Sequence, residues 1–211
     1  MNNLTISELL LGYSKKDRGS LLKTLVCCAL LMAIAVVCKA VLVVSVPMFT
    51  VEGQEINVGY AIIMFTAILY GPIWGAAVGF GSDFLGFLID SNGGGYAIGI
   101  GLTNILIGFI TGIVMIIFRE RMKKIAVLAP ASFILLTASS LHNSLWIAVI
   151  YGFVSKPYWT YALPRLGFSA LINFPLNTFV LYILLNRVVP ILQRAGLVKK
   201  TPIRKDTESH E

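Results

Sequence analysis

Charged residues are scarce in this sequence. Asp, Glu, Lys and Arg make up 13% of its 211 residues, about half of their share in an average soluble domain. Apolar residues make up 57%, and they are gathered in long runs rather than spread along the chain. This composition excludes an ordinary soluble domain and indicates a protein that lies in a lipid bilayer.

Residues for metal binding and covalent chemistry are also few. The chain has three cysteines and two histidines. Cys27, Cys28 and Cys38 all lie in the first apolar run, where we expect them to pack as small apolar side chains. The sequence contains no P-loop, no HExxH sequence and no serine-nucleophile elbow. We therefore expect no disulfide set, no metal site, no catalytic residue and no cofactor.

The apolar residues form six segments that predict transmembrane helices, since a spanning helix needs about 20 mostly apolar residues. The segments are Leu21–Val46, Ile56–Tyr70, Ile73–Ile89, Tyr96–Phe118, Ile125–Val154 and Thr160–Val189. The sequence therefore predicts an all-α polytopic membrane protein, built as one bundle of six transmembrane helices.

Basic residues lie on one side of this bundle. All but three of the 17 Lys and Arg fall in the N-terminal arm, in the loop after the fourth segment or at the C-terminal end. An even number of spans puts these regions on one face, and the positive-inside rule makes that face cytoplasmic. We expect a cytoplasmic arm over residues 1–20, a membrane domain over 21–190 and a cytoplasmic tail over 191–211, in a bacterial plasma membrane. These flanks explain the formal charge of +7 without a nucleic acid partner.

Polar side chains inside the spans are the candidate binding residues, because each is costly in lipid unless it is paired or faces a cavity. They lie in the outer half of the spans or near the midplane: Lys39, Asp83, Asn104, His142, Asn143, Arg165 and Asn173. The inner half is nearly all apolar. This distribution predicts a polar pocket that opens to the outside and is sealed below.

Each of these residues also has a structural interpretation. Lys39 and Asp83 lie at matching depth, so they either form a structural ion pair or contact a ligand. The asparagines either bind a ligand or bridge helices, and His142 can be a buried bundle histidine. Arg165 follows Pro164 near the outer mouth, where its planar guanidinium suits a carboxylate.

Aromatic residues surround the predicted mouth. Tyr96 and Tyr158 belong either to an interfacial aromatic belt or to the pocket. Trp146 lies several residues deeper, beside His142 and Asn143. A flat heteroaromatic ligand could stack on its indole ring.

Two stripes of small residues lie on helix faces. Gly71, Gly75 and Gly79 share a face with Asp83, which predicts a groove that packs closely against a neighbouring helix and fixes Asp83. Ala29 and Ala33 share a face of the first span and form a smooth patch.

Together these features resemble the substrate-binding S component of the energy-coupling factor (ECF) vitamin transporters, over essentially the whole membrane region. The superfamily is indicated by the six spans, by Ala29 and Ala33, and by Leu69–Gly75 followed by Gly79 and Asp83. The folate-type branch is indicated by Leu141–Trp146 with Ile150–Gly152, and by Ala162–Arg165 with Asn173–Pro175.

The resemblance implies a mechanism and a set of contacts. An S component captures a vitamin at the outer face, docks through its alanine stripe onto a membrane coupling (T) protein driven by two ATPase subunits, and releases its cargo inside. The implied contacts are a pterin ring on Trp146, ring hydrogen bonds with Asp83, Asn104 or Asn143, and a ligand carboxylate on Lys39 or Arg165.

Other functions stay open on the sequence. The outer loop Asp90–Tyr96, with Asn92, would touch the ligand and departs from the folate-type pattern, so another vitamin such as pantothenate is an alternative. A different class is a small lipid-modifying membrane enzyme with Asp83 and His142 as acid and base, which requires both to reach one substrate atom. A scaffold without a ligand is disfavoured by the outer cluster of polar groups.

Overall fold

The computed structural model describes residues 18–41, 44–48, 51–89, 96, 98–118, 124–150 and 158–197. The elements in chain order are α1 (Arg18–Val41), β1 (Val44–Met48), β2 (Val51–Ile56), α2 (Gly59–Tyr70), α3 (Pro72–Ile89), α4 (Ile98–Phe118), α5 (Ile125–Ile150), α6 (Tyr158–Phe168), α7 (Phe174–Ile183) and α8 (Val189–Arg194). Two π-helical turns, Ser169–Asn173 and Leu184–Val188, join α6, α7 and α8 into one apolar rod.

The helices confirm the prediction of an all-α polytopic membrane protein. Within the described residues, five helices are long and apolar enough to cross a membrane, and α2 is a shorter apolar helix. These helices follow the order of the six predicted segments. Which face the two chain ends occupy stays a prediction.

A two-stranded hairpin between α1 and α2 was not predicted. The first predicted span, Leu21–Val46, is wrong at its end, because α1 stops at Val41 and β1 begins at Val44. β1 pairs antiparallel with β2, and the register shifts between Val46 and Met48. Pro47 lies at that shift and has no N–H to donate to a strand partner. Valine-rich apolar sequence favours strands as well as helices, so hydropathy could not separate the two.

The remaining boundaries differ from the predictions by a few residues. The second segment becomes helical at Gly59 rather than at Ile56, and α4 begins at Ile98 rather than at Tyr96. The last helix continues to Arg194, past residue 190, where we placed the end of the membrane domain. The depth of the lipid boundary stays a prediction.

Helix α2 is the centre of the bundle. Most of its residues are buried, including Ile63, Met64 and Phe65. A helix that is apolar all round is buried either in protein or in lipid, and α2 is buried in protein. Its 12 residues rise about 18 Å, less than the ~30 Å hydrocarbon core. The apolar core around α2 also contains side chains of α4, α5 and the C-terminal rod. Ile107 of α4 and Leu136 of α5 are two of them.

Helices α3 and α4 pack backbone to backbone through glycine. A Cβ on Gly75 would overlap Ala67 and the backbone of Gly108, and a Cβ on Gly79 would overlap the carbonyl of Asn104. The predicted glycine groove is therefore present at Gly75 and Gly79, where α4 packs against it, whereas Gly71 precedes α3 in a turn with a positive φ of 100°. Because Asp83 follows Gly79 by one turn, this contact fixes the carboxylate beside α4.

Both π-helical turns precede a proline. Ser169–Asn173 ends two residues before Pro175, and Leu184–Val188 ends two residues before Pro190. A proline ring clashes with the carbonyl four residues earlier and offers no N–H to it, so the preceding turn widens. The first of these turns carries Asn173 into the bundle, where its side chain is buried.

Candidate functional site

A small cavity lies where α1, α2, α3 and α4 meet. Its volume is about 10 Å³, room for about one water molecule. The residues that line it are Ala35, Lys39, Asn57, Gly59, Ile63, Ser82, Asp83 and Asn104. The lining therefore combines one ion pair, two amides and one hydroxyl with small and apolar side chains.

Asp83 is the central polar residue of this cavity. Its side chain is 4% exposed, and its Oδ1 lies 2.6 Å from the Nζ of Lys39, whose side chain is 26% exposed. The Tyr96 hydroxyl donates to Oδ2 at 3.0 Å. A buried carboxylate needs such partners because water no longer solvates it. We call Lys39, Asp83 and Tyr96 the Asp83 cluster.

Glycine makes room for both partners of Asp83. A Cβ on Gly101 would overlap the Tyr96 hydroxyl, and a Cβ on Gly86 would lie 3.2 Å from the Cδ of Lys39. Burial, and then the nearby Asp83 carboxylate, raise the pKa of the Tyr96 hydroxyl to about 12. The hydroxyl therefore stays protonated and donates its hydrogen bond at physiological pH.

Asn57 links the cavity to the C-terminal rod. Its backbone N–H donates to the Oδ1 of Asn173 at 3.2 Å, and its carbonyl accepts from the Nδ2 of Asn177 at 3.0 Å. The first turn of α2 is capped from the same place, since Gly59 N–H donates to Asn57 Oδ1 and Ala61 N–H donates to Asn177 Oδ1. These bonds supply acceptors to N–H groups at the start of α2, and the Ala61 N–H also donates to the carbonyl of Val58 at 3.0 Å.

A second polar cluster lies between α4 and α5. Thr103 Oγ1 is 2.7 Å from His142 Nδ1 and 2.6 Å from Asn143 Oδ1. The Trp146 Nε1–H donates to His142 Nε2 at 3.2 Å. The indole ring lies directly against Gly99, where any Cβ would overlap it. We call Thr103, His142, Asn143 and Trp146 the His142 cluster.

The last two predicted residues lie on α6. The Tyr158 hydroxyl donates to the carbonyl of Leu141 at 2.9 Å. Arg165 is 5% exposed, and its own carbonyl accepts from Ser140 Oγ at 3.1 Å. Both residues therefore join α6 to α5 near the His142 cluster.

The structure divides the predicted site residues into groups. Lys39, Asp83, Tyr96 and Asn104 come together at or beside the cavity. His142, Asn143 and Trp146 come together on the α5 side of α4, and Asn173 binds the backbone of Asn57. Asn92 lies outside the described residues. Lys39 and Asp83 form the ion pair that was one of their two interpretations, while Asp83 and His142 share no hydrogen bond in the described part of the chain.

Sequence reasoning missed three residues of these clusters. Asn57 lies at the junction of β2 and α2, where we predicted the second residue of a transmembrane segment. Ser82 and Thr103 are neighbours of Asp83 and Asn104 in the sequence, and a small hydroxyl in an apolar helix gives little signal. Ser and Thr commonly donate to the carbonyl one turn earlier, as Thr103 can to Gly99.

The alanine pair lies on an exposed face of α1. Ala29 and Ala33 are exposed, and they are flanked by exposed apolar side chains such as Leu30 and Ile34. The packing of this bundle therefore leaves the predicted patch uncovered.

The family model of the ECF-type riboflavin transporter S component matches residues 20–189. The chain belongs to this family. A crystal structure of FolT bound with folic acid has the same fold, with a TM-score of 0.62 and 20% sequence identity over 78% of this chain and 93% of that chain. None of the curated proteins matches the sequence.

These comparisons confirm the resemblance that the motifs indicated. The protein is a multi-pass membrane protein and a vitamin-binding S component of an ECF transporter. Its family and FolT are transport components rather than enzymes. The S component is therefore the subunit that binds the vitamin.

Proposed function

We propose that this S component captures folate at the outer face of a bacterial plasma membrane for ATP-driven uptake. The observation that carries the proposal is the buried carboxylate of Asp83 at the cavity between α1, α2, α3 and α4. Membership of the S component family and the shared fold with a folic acid-bound protein support it.

A carboxylate favours folate by its hydrogen-bonding chemistry. The pterin ring of folate presents an exocyclic amino group and a neighbouring ring N–H, which are two parallel donors. An ionised carboxylate is an acceptor only and can take both. The corresponding edge of riboflavin presents one N–H between two carbonyl oxygens, and these oxygens would repel a carboxylate.

Folate can bind only after the cavity widens. A volume of about 10 Å³ is far below the roughly 300 Å³ or more of a typical small-molecule site. Both partners of Asp83 lie near helix ends: Lys39 is two residues before the end of α1, and Tyr96 is two residues before the start of α4. Exchange of these two contacts for ligand contacts would free Asp83 for the pterin ring and Lys39 for a ligand carboxylate. Arg165 is the other candidate for that carboxylate.

Riboflavin is the second candidate, and the cavity amides favour it. Asn57 and Asn104 line the cavity and are 6% and 7% exposed. An amide offers a donor and an acceptor side by side, which matches the mixed edge of riboflavin. The name of the matching family points the same way.

Release into the cell would use the exposed face of α1. We propose that Ala29 and Ala33 dock on the membrane coupling protein, which two ATPase subunits drive. A flat face of small residues lets another helix approach closely. Ala33→Trp should abolish uptake in cells and leave vitamin binding unchanged, whereas Ala138→Trp on an exposed face of α5 should leave both unchanged. Normal uptake by Ala33→Trp would contradict the docking site.

Calorimetric titration of the purified full chain with folate and with riboflavin tests the cargo. We expect a one-to-one isotherm with folate and at least ten-fold weaker binding of riboflavin. Preference for riboflavin would overturn the folate assignment while leaving the family unchanged.

Two lysines on α1 provide a matched pair for the same titration. Lys39→Gln removes the partner of Asp83 and should weaken folate binding. Lys23→Gln changes an exposed lysine on the same helix and should have no effect. Equal effects of the two substitutions would contradict a role of the Asp83 cluster in binding.

A further inference from the structure

The His142 cluster has a fixed direction of proton donation. The indole Nε1–H of Trp146 can only donate, so the Nε2 of His142, 3.2 Å away, must accept. The proton of the neutral imidazole then lies on Nδ1. One tautomer of His142 is compatible with this contact.

The same direction continues into α4. The Nδ1–H of His142 donates to Thr103 Oγ1 at 2.7 Å. The Thr103 hydroxyl then donates its own hydrogen to Asn143 Oδ1 at 2.6 Å, a shorter contact than its 3.1 Å to the carbonyl of Gly99. Hydrogen bonds therefore run from Trp146 to His142, from His142 to Thr103, and from Thr103 back to α5. Both ring nitrogens of His142 are used by protein groups.

This chain of bonds holds Trp146 against the first turn of α4. The indole ring lies on Gly99, two residues before Gly101, whose missing side chain accommodates the Tyr96 hydroxyl. Tyr96 in turn donates to Asp83. The start of α4 is thus in contact with Trp146 on one side and with the Asp83 cluster on the other.

We propose that His142 is a positioning residue for vitamin binding. In its Nδ1–H tautomer it holds Trp146 against Gly99, and this contact fixes the start of α4, the helix whose Asn104 lines the cavity beside Asp83. His142 acts through Trp146 and does not touch the vitamin. The effect on binding rests on the proposed function, since it requires Asp83 to receive the ligand, whereas the tautomer does not depend on it.

Two substitutions separate the two ring nitrogens. In His142→Gln the side-chain oxygen takes the place of Nε2 and can still accept from Trp146. In His142→Asn the amide nitrogen takes the place of Nδ1 and can still donate to Thr103, but Trp146 loses its acceptor. We expect folate affinity within about two-fold of wild type for His142→Gln and about ten-fold weaker for His142→Asn, the effect of one partly buried donor left unpaired.

A double-mutant cycle then tests whether His142 acts through Trp146. Trp146→Phe keeps an aromatic ring on Gly99 and removes the N–H. His142→Asn in this background should cause less than a two-fold further loss of folate affinity. A full additional ten-fold loss, or equal losses for His142→Gln and His142→Asn in the wild-type background, would overturn the proposal.

NMR of nitrogen-15-labelled histidine in the ligand-free full chain measures the tautomer directly. We expect His142 to carry its proton on Nδ1, and the signal to be lost in His142→Gln, which assigns it. A proton on Nε2 would overturn the proposal whatever the vitamin is. Failure of the wild-type protein to bind folate would overturn the proposed cargo and leave this measurement unaffected.

Discussion

The two polar clusters on either side of α4 differ in charge and in which parts of the chain their hydrogen bonds join. The Asp83 cluster contains a carboxylate and an ammonium group beside a cavity, and its two bonds join three separate segments of the chain. The His142 cluster is built from neutral groups, and the bonds among its members lie within α5 or between α5 and α4. A charged group whose partners come from distant segments can exchange them for a ligand, whereas a neutral chain of donors and acceptors fixes one helix against another.

The free-energy cost of breaking hydrogen bonds also differs between the two clusters. A ligand with two N–H groups can replace the hydrogen bonds of the buried carboxylate, and a ligand carboxylate can pair with the released Lys39. Opening the Asp83 cluster then leaves neither charge without a partner once the ligand is bound. Nothing in a vitamin is needed to complete the His142 cluster. Breaking one of its partly buried bonds leaves a donor or acceptor without a partner, at a cost of about 1 kcal/mol.

Loss of the carboxylate should have the largest effect. Asp83→Asn places an amide donor against the pterin donors and leaves Lys39 without its counter-ion. We expect folate binding to weaken by about a hundred-fold or more, while riboflavin binding is unchanged or improved, measured by calorimetry. Folate affinity within a few-fold of wild type would contradict the assignment of Asp83 as the selecting group.

Closing the glycine contact should destabilise the Asp83 side of α4. Gly79→Ala places a Cβ on the carbonyl of Asn104 and should lower the free energy of unfolding by about 1–3 kcal/mol. Thermal unfolding in detergent measures this loss. Gly167→Ala is the control, because nothing lies within 4 Å of its Cβ position. Equal melting temperatures for the two variants would show that α3 and α4 are not in this close contact.

Removal of one partner of Asp83 should have a smaller effect. Tyr96→Phe keeps the ring and frees Oδ2 of Asp83 in the ligand-free protein, so folate no longer displaces the hydroxyl. We expect folate to associate about five-fold faster, the effect of one hydrogen bond, in stopped-flow fluorescence. Slower association together with weaker binding would indicate that the Tyr96 hydroxyl contacts folate itself.

Mild alkaline pH should have the smallest effect of all. The pKa of the Tyr96 hydroxyl is raised to about 12, so the protonated donor persists well above pH 7 and ionises only near that value. We expect wild type and Tyr96→Phe to show the same change in folate affinity between about pH 7 and pH 9. A difference that appears only in wild type over this range would mean that Tyr96 ionises much earlier.

The sequence predicted most of the fold because hydropathy reports directly on the bilayer. The prediction was wrong at Pro47 and at the valine-rich end of the first segment. Residues typical of strands and residues typical of helices are equally apolar, so hydropathy does not distinguish them there. The central position of α2 was also not predicted. Its short length is visible in the sequence, but only the packing of α1, α3, α4 and the C-terminal rod around it makes it the core.

The candidate site was predicted in part for a different reason. Lys39 and Asp83 are costly in lipid, so their presence at one depth predicted a pair. Burying Asn57 or Thr103 costs little free energy when a nearby backbone carbonyl or amide can bond to the side chain. Their presence in an apolar segment therefore did not indicate a site. The separation of His142 from Asp83 depends on helix rotation, which spacing along six separate helices does not determine.

The selection of folate by the Asp83 carboxylate is tested most directly with a folate analogue that lacks the exocyclic amino group of the pterin. Calorimetry would compare folate and this analogue on the wild-type protein and on Asp83→Asn. We predict that wild type binds folate at least ten-fold more tightly than the analogue and that Asp83→Asn does not distinguish them. Equal affinity of wild type for the two ligands would contradict recognition of the pterin edge by Asp83.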